Sequence, residues 1–226
     1  LPLKRNVLFY EIFDQILLLN NESKINFGRS LTNIVYMGMG EPLLNYRNVY
    51  ESIIRVTAPV GLNFSPRRIT VSTAGIAKMI RKLGDDKVKF ELALSLHAAD
   101  DVKRSQIMEI NDSNNLDSLS EALKYFYDKT STRVTLEYIV FEGFNDTPDD
   151  AENLSYFART IPTKINIIEY NPIPECSLSN ANPDNFKRFI SYLEKKGHIV
   201  NVRRSRGGDV NGACGQLALR KVTTHA

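Results

Sequence analysis

The chain alternates between short apolar, β-branched runs and longer stretches whose apolar residues recur at helical spacing. That alternation limits its fold more than any other feature. Strand-like runs occupy 32–37, 68–72, 90–96, 133–141, 164–170 and 199–204. Helical patterns lie between them, near 47–56, 76–83, 101–108, 116–127, 149–159 and 183–196, and Gly197 marks a helix stop. Neighbouring parallel strands need a long crossover, and a helix supplies it. The pattern therefore predicts an α/β fold, a mostly parallel sheet with helices outside. Ahead of the first strand, Leu8, Ile12, Ile16 and Leu19 predict a helix with an inward stripe, and 20–30 reads as a polar loop.

At 226 residues the chain can bury one substantial core. No composition break marks a domain boundary, so 1–226 reads as a single core: a partial barrel over about 1–180 and an extension over about 181–226. No apolar run approaches the ~20 residues of a membrane span. No secretory leader is visible, and the two cysteines, Cys176 and Cys214, imply no disulfide framework. A cytoplasmic setting is expected. The net charge is +3 but uneven: residues 181–226 carry nine Lys/Arg against three Asp/Glu, which leaves −3 on residues 1–180. A basic C-terminal segment can contact phosphate, or form no more than a solvated helix face.

In a parallel α/β barrel, ligands sit at the C-terminal ends of strands. Those ends read Gly40-Glu41, Ser72-Thr73-Ala74-Gly75, Ser95-Leu96-His97, Asn145 and Asn171-Pro172. Each has an ordinary explanation. Gly38-Met39-Gly40 can be a simple βα turn, Ser72 a helix cap, His97 a hydrogen-bonded wall residue and Asn171-Pro172 a turn. Taken together they outline one polar rim, and a shared binding site accounts for that recurrence better than separate coincidences.

Cys214 lies among glycines and downstream of Arg203, Arg204 and Arg206. Nearby guanidinium groups favour a thiolate, so Cys214 is a candidate nucleophile; a small buried hydrophobe is the alternative. Cys176 has no such surroundings and reads as structural.

The runs GMGEPLLN, RRITVSTAG, LALSLHA, LEYIVFEGFND, KINIIEYNPIP and ACGQLA together resemble the RlmN/Cfr family of radical S-adenosylmethionine (SAM) enzymes, which methylate C2 or C8 of an adenine in RNA. The resemblance spans about 4–217 and fits the C2 branch better. It implies an incomplete (β/α)6 partial barrel of the radical SAM type. It implies that Gly40 and Glu41 hold the SAM amino group and that Ser72 meets the ribose or carboxylate region. Ser95, Leu96 and His97 would line the same pocket, and Asn171 would reach the cofactor from a late strand. Cys214 matches the cysteine that is methylated before the methyl-derived carbon passes to RNA. The implied cofactors are SAM and a 4Fe-4S cluster. The implied partners are 23S rRNA and tRNA, and an electron donor such as flavodoxin; no membrane is involved and a monomer is expected.

The sequence departs from that family in one respect. The family holds its cluster with Cys-x-x-x-Cys-x-x-Cys, and the 226 residues contain no such motif. The expectation is that the first strand and the cluster loop are missing, and that this chain alone cannot assemble the cluster and is inactive. A non-catalytic SAM- or RNA-binding barrel is the alternative. An unrelated phosphate-binding α/β barrel would need a phosphate-cradling glycine loop late in the chain; there, Gly207-Gly208 belong to the segment that bears the thiol.

Overall fold

The computed structural model describes residues 4–37, 40–171 and 178–204. Six strands, β1 (Ile34–Tyr36), β2 (Ile69–Thr73), β3 (Glu91–Ser95), β4 (Val134–Ile139), β5 (Thr163–Ile168) and β6 (Val200–Arg203), form one sheet in the order β1-β2-β3-β4-β5-β6. Every neighbouring pair is parallel. The crossovers are α2 (Tyr46–Thr57), α3 (Ala77–Asp85), the pair α4 (Asp101–Ile107) and α5 (Leu116–Thr130), then α6 (Pro148–Ala158) and α7 (Pro183–Lys195). The parallel sheet with outer helices matches the expected architecture. Among the described residues β1 and β6 are edges, as an incomplete barrel requires. The sheet takes β6 from beyond residue 180, inside the stretch read from the sequence as an extension.

Helix boundaries follow local chemistry. Asn115 caps α5 by accepting the Ser118 N–H at 3.0 Å. Thr147 and Asp150 form a reciprocal capping box at the start of α6, with Pro148 at its first position. Asn182 caps α7 through the N–H groups of Asp184 and Asn185, again just before a proline.

The N-terminal helix corrects the sequence reading. α1 runs over Phe9–Phe27, through the stretch expected to be a loop, and ends where Gly28 adopts φ +66° and donates its N–H to Lys24 O at 3.0 Å. Its inward stripe also differs. Ile16 and Asn20 are buried, whereas Leu19 points outward. Asn20 accepts the Leu31 N–H at 3.1 Å, so a buried polar side chain ties the helix to the segment entering β1.

The sheet is two-sided in chemistry. Side chains alternate across a strand, so the register sorts them by face. On one face lie Tyr36, Val71, Leu92 and Val134, then Leu94, Leu136 and Ile165, then Tyr138 and Ile167. Every strand residue of the hydrophobic core belongs to this face, where it packs with the apolar residues of the helices. The other face carries two polar rows: Ser72, Thr135 and Lys164 around Ala93, then Ser95, Glu137, Asn166 and Asn201.

Close packing concentrates at the β2–α3 junction. Gly75 sits at φ +107°, and a Cβ there would lie 3.0 Å from Leu119 and 3.1 Å from Leu94. Gly75→Ala combines left-handed strain with a tight core contact, and should lower stability by about 1–3 kcal/mol. Thermal unfolding measures this; an unchanged Tm would mean that the turn relaxes freely.

Candidate functional site

The polar face is assembled at the C-terminal ends of β2, β3 and β4. Ser72 lies in β2 and is 4% exposed. Ser95 ends β3 and pairs in register with Glu137. Two of the residues expected from the sequence, Ser72 and Ser95, therefore occupy one face within two rows of each other. Glu137, between them and the rest of the sheet, was not singled out.

Glu137 is the charged centre of this face. It is 3% exposed. Its Oε1 accepts a hydrogen bond from Asn166 Nδ2 at 2.9 Å and lies 3.6 Å from Arg203 Nη1. Asn201 Nδ2 donates in turn to Asn166 Oδ1 at 3.3 Å, so a relay crosses three strands. Oε2 is buried and has no hydrogen-bond partner among the described residues. Burial pushes the Glu137 carboxyl up from its ordinary range, against the opposing pull of the Asn166 hydrogen bond and the charges of Arg203 and Lys164. The Glu137 backbone carbonyl also accepts the N–H groups of Leu96 at 3.0 Å and His97 at 3.3 Å.

The segment after β3 is held tightly. His97 has φ +56°, an uncommon left-handed conformation for a residue other than glycine. Its Nδ1 accepts the Ile139 N–H at 3.3 Å, and its carbonyl accepts Asn145 Nδ2 at 2.7 Å. The bond to Nδ1 requires the neutral tautomer with the proton on Nε2. Burial, then the charge of Arg104, pushes the imidazole down to about 4. Leu96 has a fully buried side chain, and both of its backbone polar groups are paired.

Arg104 fixes this segment from below. Its side chain is fully buried on α4. Nε donates to Leu96 O at 3.1 Å, Nη2 to Ala74 O at 2.6 Å and to Ser95 O at 3.3 Å, and Nη1 to Asn111 Oδ1 at 2.8 Å. One guanidinium fork thus joins the ends of β2 and β3. Burial pulls it down to about 10. No sequence signal separated Arg104 from an ordinary polar residue on an amphipathic helix.

Glu41 forms a second clasp. Oε1 accepts the Leu43 N–H at 2.9 Å and Oε2 the Ala74 N–H at 2.7 Å, linking the end of β1 to the end of β2. Each carboxylate oxygen keeps a further acceptor position, so this role leaves room for a ligand donor. Gly40, next to it, is exposed with φ +89°. Asn171 follows β5, three residues beyond Ile168. Asn145 is different. It is fully buried, its amide donates to His97 O and Ile139 O, and its Oδ1 accepts the Phe141 N–H at 2.7 Å. It supports the rim and is not part of its surface. Cys214, Cys176, Pro172 and Arg206 lie outside the described residues.

Among the described residues no group of three His, Cys, Asp or Glu could hold a metal ion. No helix among them is long and apolar enough to cross a membrane.

No family model matches the chain. Individual proteins do. A relative from Cytophaga hutchinsonii, named a probable dual-specificity RNA methyltransferase RlmN, is 58% identical over 219 residues, 97% of this chain and 60% of the relative. One from Christiangramia forsetii with the same name is 50% identical, over 95% of this chain and 61% of its own length. The crystal structure of a radical SAM methyltransferase from Sphaerobacter thermophilus matches with a TM-score of 0.91 at 36% identity, over 95% of this chain and 62% of that one. The chain spans about three fifths of the length of these relatives.

The depressed His97 predicts a pH dependence. The folded pKa of about 4 lies below the ordinary value of about 6.5. The unfolded chain therefore binds the proton first as pH falls, and the stability contributed by neutral His97 is lost between roughly pH 6.5 and 4. In thermal melts His97→Asn, which tolerates a left-handed backbone, should flatten the fall in Tm over that window. An equal slope in variant and wild type would contradict this role. The identities, the coverage and the superposable fold make this an RlmN-like chain, similar over nearly all of its own length to about three fifths of each of these proteins.

Proposed function

We propose that this chain is the SAM-binding core of an RNA methyltransferase acting at C2 of an adenine in 23S rRNA and tRNA. The reading is supported above all by one observation: Ser72 and Ser95, two of the residues matched to the family's SAM site, share a polar sheet face at strand ends, in a chain 58% identical to an RlmN relative.

The residues suit SAM. The ligand carries an ammonium, a carboxylate, two ribose hydroxyls and an exocyclic amine. Against these the chain offers the hydroxyls of Ser72 and Ser95, the remaining acceptor positions of Glu41, and the unpaired Glu137 Oε2. Gly40, Leu96, His97 and Asn171 complete the proposed pocket. SAM supplies an electrophilic methyl group when bound. The protein's part is to orient it and to keep water away, which the left-handed His97 segment and the Arg104 fork serve by fixing the strand ends.

Cys214 is the proposed carrier thiol. Adenine C2 is not nucleophilic, so direct transfer from a sulfonium is unfavourable; Cys214 would take the methyl group with loss of its proton and release of S-adenosylhomocysteine, and the hydrogen removal needed to make that thioether carbon reactive would come from the cofactors of the complete protein. The basic side chains of 203–206 would place this segment near RNA phosphate. A cluster does not fit the residues present: a three-thiolate site needs three cysteines, and the chain has Cys176 and Cys214 alone. The 226 residues by themselves are therefore proposed to be inactive, and no step is assigned through a cluster. A cytoplasmic monomer supplied with electrons by a flavodoxin-like donor completes the reading.

Incubation of the complete protein with methyl-labelled SAM should label Cys214, and Cys214→Ala should abolish both that label and the label in RNA. Methylation of adenine at a normal rate by Cys214→Ala would rule out the carrier role. SAM binding without any transfer, even when the complete protein is used, would favour a non-catalytic barrel.

A further inference from the structure

Glu137 is the one buried side-chain group among the described residues with an unpaired polar atom. Leaving a buried acceptor unpaired is costly, more so for a carboxylate. Native proteins keep such atoms where something else meets them. The position of this one is specific. It lies in the row of Ser95, one row beyond Ser72, on the sheet face that takes no part in the hydrophobic core.

We infer that Glu137 Oε2 accepts a hydrogen bond from a neutral donor on the adenosine half of bound SAM, making Glu137 a further cofactor-positioning residue. The inference rests on the SAM reading above.

The surroundings choose the kind of donor. Arg203 Nη1 is 3.6 Å from Oε1, and the Lys164 charge also acts on this carboxylate. One cation lies close to this anion and the charge of a second acts on it. An ammonium or sulfonium arriving here would meet a net positive neighbourhood, whereas a hydroxyl or amine brings no charge. On the adenosine half of SAM the neutral donors are the ribose hydroxyls and the 6-amino group. Glu41, at the end of β1, remains the acceptor matched to the ammonium. The Asn166 amide donates to Oε1 at 2.9 Å, and Asn201 steadies Asn166, so the carboxylate plane is fixed before any ligand arrives. Such preorganisation lowers the cost of binding.

Glu137→Gln tests this with little change in volume. Asn166 donates, so the glutamine oxygen must stay where Oε1 is. Its NH2 then occupies the position of Oε2 and opposes the incoming donor. In ligand-observed NMR titrations of the 226-residue chain, E137Q should weaken SAM and adenosine at least about tenfold and leave methionine unchanged. Wild-type titrations with 2′-deoxyadenosine, 3′-deoxyadenosine and purine riboside identify the donor, because the analogue lacking it should lose a similar factor. E137Q should no longer tell that analogue from adenosine. Wild-type affinity of E137Q for SAM and adenosine, with SAM still binding, would overturn this inference and leave the proposed function standing. No SAM binding by the wild-type chain would overturn both. If E137Q fails to fold by circular dichroism, the wild-type series decides alone, and equal affinity for all four nucleosides would overturn the inference.

Discussion

A parallel sheet that commits one face to its core leaves the chemistry of the other face free. Here the division follows the register. Leu92, Leu94, Val134, Leu136, Ile165 and Ile167 share the face packed with the helices, and the alternate positions carry Ser72, Ser95, Glu137, Asn166 and Asn201. A one-residue slip of β4 or β5 would exchange the two sets and turn Glu137 or Lys164 into the core. The hydrophobic register that stabilises the sheet is therefore the same constraint that lines up the polar rows. Arg104 extends this control past the strands, because its fork holds the carbonyls of Ala74, Ser95 and Leu96 in one arrangement.

The organisation of the sheet was legible in the sequence because parallel strands read as apolar runs and their crossovers as amphipathic stretches. All six strands and the crossover helices fall where those patterns predict. The second half of α1 was not legible. Asn21, Glu22, Ser23 and Lys24 continue the helix with polar side chains beside the one buried asparagine, Asn20, and composition alone reads that stretch as loop. Gly28, a helix-ending signal, was the cue available.

The candidate site was legible in part, for a different reason. Scanning strand ends finds Glu41, Ser72, Ser95 and His97, but that scan also raised Asn145, whose hydrogen-bonding capacity is used inside the protein. It passed over Glu137, which sits inside the apolar run Leu136-Glu137-Tyr138-Ile139 and pairs with the last residue of β3. Neighbouring strands end at different heights, so a residue interior to one strand stands at the rim of the next. Sequence position cannot reveal that offset; register can. Arg104 was missed because a buried guanidinium bound to backbone carbonyls has no pattern that separates it from a solvated helix charge.

The central claim is that the polar face of the sheet, and not a surface of the helical layer, receives SAM. Amide chemical-shift mapping on the isotopically labelled chain tests it most directly. Addition of SAM should move the amides of Ser72, Ser95, His97, Glu137 and Asn166 and leave those of α3 and α5 in place. Shifts confined to α3, α5 or the α6–α7 layer, with the polar rows unmoved, would contradict the account.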